Sequence, residues 1–465
     1  MATGATFIGH QSWLVTIGDT HLLVDPVLTD AFGNSPHVRF RIEPARRVAP
    51  DRLPRIDAVV VSNEHLDHFH LPSLRALDRS VPVLVPVTMP TVCTDVLRED
   101  GFDVRPVTRD EEVTIGSAGV RLLAGPADVP VWESRVASVW IGRPGRPDTG
   151  VLVQSDTLLG PDAAAFSPEI LLVTHNAQVP PPGHAGAFDN MLPLPPEQPA
   201  QTLGLSILHH VLDEALRAVG GARHVAFSGG GYAQEPARHG PFCWSDFAEL
   251  ADLANALSLH DAVVGLAPGE RLTPGREPVV DAVDWILPPE QAGPDPADPR
   301  TVEFDELGPL VHRAVDDADR ALIGVELAEL APLLLLSPLG RSLVNVHEYL
   351  GRPTGPLRCA VHLRGFGPEG DRVVALDVNT ARFESTALSL RDALFTVPSG
   401  VDVWASDLAA VLRGELHVWE LAVSRMRQWY VNDRLDSPVG FLYGCLSEQL
   451  RPDLAHRLYR PAVPC

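Results

Sequence analysis

The chain has 465 residues, 45% of them hydrophobic, enough to bury a large core or two. Its formal net charge is −23 and it contains no lysine, so it offers no basic face of the kind that holds a phosphate backbone or an anionic bilayer, which argues against nucleic-acid and membrane partners. The five cysteines, Cys93, Cys243, Cys359, Cys445 and Cys465, form no C-x-x-C pair, which predicts neither a disulfide framework nor a thiolate zinc site.

The start, M-A-T-G-A-T-F-I-G-H, lacks the basic and apolar segments of a secretion signal, and a cytoplasmic protein is expected. T-F-I-G-H, S-W-L-V-T-I-G and H-L-L-V-D-P read as successive strands, with Gly18 and Asp19 turning the second hairpin and Asp25 standing at a strand end. I-D-A-V-V-V-S is a continuous apolar strand of the kind buried on both faces. It delivers N-E-H-L-D-H-F-H, residues 63–70, into the loop at its carboxyl end, where α/β proteins place chemistry. L-P-S-L-R-A-L-D predicts a helix, and P-V-L-V-P-V, V-R-L-L-A, S-V-W-I-G, G-V-L-V-Q-S-D-T, E-I-L-L-V-T-H-N and A-R-H-V-A-F-S-G-G-G predict further strands. The Pro-rich run from Val179 to Pro199 reads as a wall or lid, and S-I-L-H-H-V-L-D-E-A-L-R-A-V-G as an amphipathic helix stopped by Gly220 and Gly221.

Composition then shifts. Residues 1–287 form one predicted domain, Pro288 to Arg300 a linker, and 301–465 a C-terminal α+β lobe. In that lobe R-C-A-V-H-L-R-G and D-R-V-V-A-L-D-V predict a strand pair, and helices are expected around Ala405–Leu412 and Val418–Tyr430. The apolar run Leu333–Leu336, set between Pro332 and Pro338, falls far below the roughly 20 residues that span a bilayer and reads as a buried segment.

Ser62, His65, Asp67 and His68 fit S-x-x-H-x-D-H, which puts two imidazoles and a carboxylate on one tight turn, a donor set suited to divalent metals. Asp25, Asp156 in S-D-T and His175 in V-T-H-N also end apolar strands, so several strands deliver a candidate ligand to one end. The competing readings are structural: an Asx-turn for Asn63, a helix cap or turn for Asp156, a satisfied core histidine for His175, and ordinary packing for His209 and His210. Glu64 faces away from its neighbours, and Gly229–Gly231 reads as a turn or close backbone approach, since no phosphate-loop lysine follows.

This order of motifs resembles the metallo-β-lactamase superfamily over roughly Phe7 to Leu272, which implies an α/β, metallo-β-lactamase-like αββα sandwich ahead of the C-terminal lobe. By that resemblance Asp25 supports the cluster, and His65, Asp67, His68 and Asp156 ligate a dinuclear site. Departures from the pattern bring in other residues: Asn63 replaces the first motif histidine, Asp128 or Glu133 a later one, and F-S-G-G-G-Y lacks the last, leaving His175, His184 or His239. Amide and carboxylate oxygens in place of imidazoles favour iron or manganese over zinc.

G-H-x-S-x-L near the start and P-G-E later are similar to a branch that includes the lactamase-like part of CMP-sialic acid hydroxylases and the nonheme diiron monooxygenases of platensimycin and platencin biosynthesis. The likeness implies two iron ions, O₂, an electron-donating reductase, and hydroxylation of an unactivated carbon on a bulky apolar terpenoid acid or thioester. Asp67 and Asp156 are the catalytic candidates; the metal candidates are Asn63, His65, Asp67, His68, Asp128, Asp156 and His175; His184, Trp132 and Trp244 are candidates for the substrate wall. The alternative is a metal-dependent hydrolase of an ester, thioester, lactone or phosphodiester, with zinc or manganese. A third reading is a metal-free binding protein. The C-terminal lobe resembles sterol-carrier-type domains, which implies substrate capping or a homodimer.

Overall fold

The computed structural model describes residues 2–127, 135–175, 178–179, 189–191, 200–235, 243–244, 246–260, 262–289, 304–336, 338–430, 453 and 456–457. Two sheets face each other across an apolar core. The first has eight strands, beginning with Thr3–Gly9, Ser12–Ile17 and Thr20–Val24, which pair antiparallel, and continuing with Ala58–Val60, Val83–Pro86 and Val104–Val107, which run parallel to Thr20–Val24. Gly18, at φ 61°, makes the predicted tight turn between Ile17 and Thr20.

The second sheet has seven strands, among them Val151–Val153, Ile170–His175 and His224–Gly229, mutually parallel. Alternation along each strand explains the layering. In the first sheet Phe7, Trp13, Val15, Leu22, Val24 and Val60 face the second sheet and join its core. Ile8, Leu14, Leu23, Val59 and Val61 face the opposite way, packing with the helices Leu71–Arg75 and Thr91–Glu99 through Leu71, Leu74, Val92 and Leu97. Leu208, Leu212, Phe247 and Leu250 of the helices Ala200–Ala218 and Phe247–Ala256 belong to the core of the second sheet.

A third sheet, of six strands, lies in the C-terminal part. Leu357–Gly367 and Gly370–Asp377 pair antiparallel as the sequence predicts, and Ser399–Trp404 and Met426–Tyr430 continue the sheet. Val361, Leu363, Val401, Val403, Ala409, Leu412, Leu421 and Met426 belong to the same apolar cluster as the outer face of the first sheet. The expected helix over Val418–Tyr430 is shorter, Val418–Ser424, and its last five residues are strand. That strand pairs antiparallel with Ser399–Trp404 on one side and parallel with Asp189–Asn190 on the other. Pro332 lies inside the helix Asp317–Leu336, and only part of the predicted buried run is inside: Leu334 is buried, whereas Leu336 projects outward at 80% exposure.

Of the predicted linker, residues 290–300 lie outside the described residues, as do 301–303 after it and most of the Pro-rich run, 180–188 and 192–199. No described helix is long and apolar enough to cross a membrane.

Candidate metal centre

Parallel strands of both sheets end at one place. Val24 passes into Asp25, Val60 into the 61–70 loop, Val153 into Ser155 and Asp156, and the strand Ile170–His175 ends beside them. Ser62 ties these ends together: its backbone N–H donates to Asp25 Oδ1 at 2.7 Å, its hydroxyl donates to Asp25 Oδ2 at 2.6 Å, and the Ser155 hydroxyl lies 2.7 Å away. Asp25 is fully buried and also holds His68 Nδ1 at 2.7 Å, which turns His68 Nε2 toward Asp156 Oδ2 at 2.9 Å. A carboxylate fixing the far nitrogen of an imidazole is the usual way a metal-facing ring is oriented.

His65 Nδ1 stands 3.4 Å from the same Asp156 oxygen. One atom each of His65, Asp67 and Asp156 lie within 4.8 Å of one another, a spacing that a single ion ligated at about 2.0–2.5 Å from each can bridge. The residues therefore fit a bound divalent metal. The charges agree. Burial would raise both carboxyls, but His68 with His10 holds Asp67 below the usual carboxylate range, and His68 with His65 holds Asp156 well below it. Burial opposes charge on His68, yet Asp156, Asp67 and Asp25 hold its pKa well above the ordinary imidazole value. This is a buried pocket organised around positive charge.

Three residues here take left-handed backbone: His10 (φ 54°), Asp25 (φ 46°) and Ser155 (φ 61°). Such a conformation costs a side-chain-bearing residue on the order of 1 kcal/mol or more, and it persists only where surrounding contacts over-determine it. Each turn aims a side chain inward or sets up the next residue to do so.

The predicted ligands divide. His65, Asp67, His68 and Asp156 converge, with Asp25 behind them. Asn63 is fully buried and shapes the loop: its Oδ1 accepts from the His65 N–H at 2.9 Å and its Nδ2 donates to Ser62 Oγ at 3.0 Å, the Asx-turn arrangement. His175 is buried at its strand end, edge-on to Phe227 with ring centroids 5.7 Å apart, and is not one of the three clustered residues. Glu64 is buried and pairs with Arg135 at 2.6 Å, and His209 and His210 face outward. Asp128, Glu133, Trp132, His184 and His239 lie outside the described residues; the backbone of Trp244 pairs with that of Gln178.

Several contributors carried no assigned role in the sequence. His10 and Gln11, from G-H-Q-S-W, reach Asp67 Oδ2 at 2.8 Å and Asp156 Oδ1 at 3.2 Å, and Gln11 is itself held by the Ser228 hydroxyl at 2.8 Å. The motif was visible, but only the fold shows that a bulge after Phe7 turns it into the site. From the C-terminal part, the half-buried Trp419 meets the His65 ring edge to face at 4.9 Å. No spacing in the sequence links residues 65 and 419. Burial, with His65 adding to it, pushes the neighbouring His417 down to about 3, so this ring is neutral, and its Nδ1 accepts from the Trp419 N–H at 3.2 Å.

Residues 20–189 match the model of a family described as the beta-lactamase superfamily domain. The fold they contribute to is accordingly the mixed α/β, metallo-β-lactamase-like sandwich. Among solved structures, isothiocyanate hydrolase from Delia radicum gut bacteria is 17% identical, the match covering 58% of this chain and 98% of that chain with a TM-score of 0.38. Igni18, a metallo hydrolase from Ignicoccus hospitalis, is 14% identical over 59% of this chain and 98% of that one, TM-score 0.37. CmlA, a diiron beta-hydroxylase from Streptomyces venezuelae, is 21% identical over 49% of this chain and 44% of that one, TM-score 0.33.

Proposed function

We propose that the protein is a metal-dependent monooxygenase, holding two iron ions between the strand ends and hydroxylating an apolar substrate. The observation that carries this reading is the donor set: the Asp67 and Asp156 carboxylates alternate with imidazoles, and the Asn63 amide that takes the place of a further imidazole is spent on the loop. Carboxylates mixed with imidazoles, with one imidazole position given over to Asn63, make a set that accommodates iron or manganese. Bound there, iron would supply reductive activation of dioxygen, with one oxygen atom entering a C–H bond and the other leaving as water, two electrons coming from a separate reductase.

The chain's own residues would do the rest. Asp67 and Asp156 are the partly open members, each about one-fifth exposed, and mark the side from which substrate approaches. Tyr232 and Trp419, both half-buried, lie beside that opening, Tyr232 edge-on to His10 and Trp419 against His65. Burial and the two nearby carboxylates push the Tyr232 phenol above its ordinary range, so it stays protonated and presents an uncharged aromatic wall. An apolar wall suits a hydrocarbon surface better than a phosphodiester.

A hydrolase of an ester, thioester or lactone is the second reading, favoured by the ability of the same imidazoles to hold an ion that activates water. The two separate in one experiment. Protein produced with iron and zinc both available is expected to carry about two irons per chain and, with a reductant, to consume O₂. Zinc alone, with turnover of an activated ester and no O₂ uptake, would give the hydrolase the first place.

A further inference from the structure

We propose that His10 is a metal ligand, supplying an imidazole to a second ion position shared with Asp67 and His68. This rests on the reading of the strand ends as a metal centre and adds a ligand that lies outside the S-x-x-H-x-D-H turn.

The geometry around the two carboxylates is a chain of alternating donors. Asp156 Oδ2 lies between two ring nitrogens, His65 Nδ1 at 3.4 Å and His68 Nε2 at 2.9 Å. Asp67 Oδ2 likewise lies between two, His68 Nε2 at 3.6 Å and His10 Nε2 at 2.8 Å. His68 is common to both carboxylates, and His65 and His10 close the two ends. Ligand atoms that share an ion at about 2.0–2.2 Å sit roughly 3 Å apart when adjacent, so His10 occupies the same relation to Asp67 that His68 occupies to Asp156. One end of this series could hold an ion through His65, Asp67 and Asp156; the other has the donors for a second, through His10, Asp67 and His68.

The backbone places His10 there deliberately. Gly9 takes φ 130°, and a Cβ on it would come within 2.7 Å of Arg46 Nε, so the turn needs glycine. His10 follows at φ 54°, its carbonyl accepting from the Gly229 N–H at 2.9 Å at the end of the second sheet. The ring is buried at 3% exposure, stacked on Phe32 with centroids 5.6 Å apart, and its Nδ1 makes no hydrogen bond to any described residue. With no hydrogen bond at Nδ1, the ring's polar contact with the site runs through Nε2, the nitrogen that would meet the ion.

The rival role is orientation alone, His10 donating to Asp67 without touching metal. Full-length wild type, His10→Ala and His10→Gln, each stripped and reloaded with cobalt(II), separate the two, read by bound metal per chain, by the visible cobalt spectrum and by circular dichroism as the folding control. Gln retains an N–H to orient Asp67 but offers no imidazole. The expected result is two cobalt ions in wild type, with the second weakened at least ~10-fold in both variants, the spectrum of one site lost, and partial recovery in His10→Ala on adding free imidazole. Wild-type affinity for both ions in folded His10→Gln would overturn the ligand role while leaving the metal centre standing. A wild type that binds no cobalt would overturn the metal centre itself, and His10's part with it.

Discussion

Asp25 touches no open space, yet it organises the site. Its two oxygens accept from the Ser62 N–H, the Ser62 hydroxyl and His68 Nδ1, so it fixes both the entry of the 61–70 loop and the orientation of the His68 ring. Asp25→Asn keeps the size and one acceptor oxygen but cannot balance a charged or metal-bound His68. Metal affinity is expected to fall about 10- to 100-fold with the fold intact; a competition titration against a chelator, alongside circular dichroism, measures it, and unchanged affinity would remove Asp25 from its supporting role. At this scale the sequence was informative where ligands sit close together. His65, Asp67 and His68 lie in four consecutive positions, and Asp25 and Asp156 each end an apolar strand. It was silent where neighbours of the cluster arrive from afar: His10 reaches Asp67 across 57 positions and Trp419 reaches His65 across more than 350, and no periodicity encodes either meeting.

At the scale of elements, apolar runs were easy to read because a strand buried on both faces is a nearly unbroken string of Val, Ile and Leu, as in Ala58–Val60 and Ile170–His175. Boundaries were harder. Val418–Tyr430 carries enough helix-forming residues to look like one element, but Arg425 leaves the helical region and the chain from Met426 pairs with Ser399–Trp404. Long-range pairing won over local propensity.

The helix before it, Ala405–Arg413, has a titrating clasp. Asp407 is fully buried in its first turn, accepting from the Val311 N–H at 2.8 Å and the Leu310 N–H at 3.0 Å. Burial raises its pKa from 3.8 to about 6, outweighing those two hydrogen bonds. A carboxyl whose folded pKa is raised keeps its proton longer in the folded than in the unfolded chain, so its contribution to stability falls as pH rises from about 4 to about 6. The gap corresponds to on the order of 3 kcal/mol. Asp407→Asn removes the titration, so wild-type stability minus variant stability, from urea unfolding, is expected to decline by about that amount between pH 4 and 6.5. A difference that stays flat with pH would mean that Asp407 ionises in the folded chain as it does in the unfolded one.

At the scale of the whole molecule, the C-terminal sheet and the outer face of the first sheet share one apolar cluster, and Glu420 joins them through polar contacts as well. Its Oε1 accepts from the Asn34 N–H at 2.6 Å and the Ser35 N–H at 2.8 Å, and its Oε2 from the His417 N–H at 3.0 Å, so one fully buried carboxylate satisfies three main-chain donors in two distant segments. Gly33, at φ 131°, brings the 32–35 loop close enough that a Cβ there would lie 3.4 Å from Glu420 Oε1. Glu420→Ala leaves those donors without their acceptor, a loss of about 3 kcal/mol or more. Trp419 directly precedes Glu420 and borders His65, so loosening this contact is expected to weaken metal binding as well as the fold. If the shared core makes one cooperative unit, calorimetry shows a single unfolding transition in wild type and in Glu420→Ala, the variant shifted down by a few degrees. Two transitions in wild type, with only the upper or only the lower moved by the substitution, would show that the halves fold separately and that the C-terminal part reaches the metal centre only as a docked neighbour.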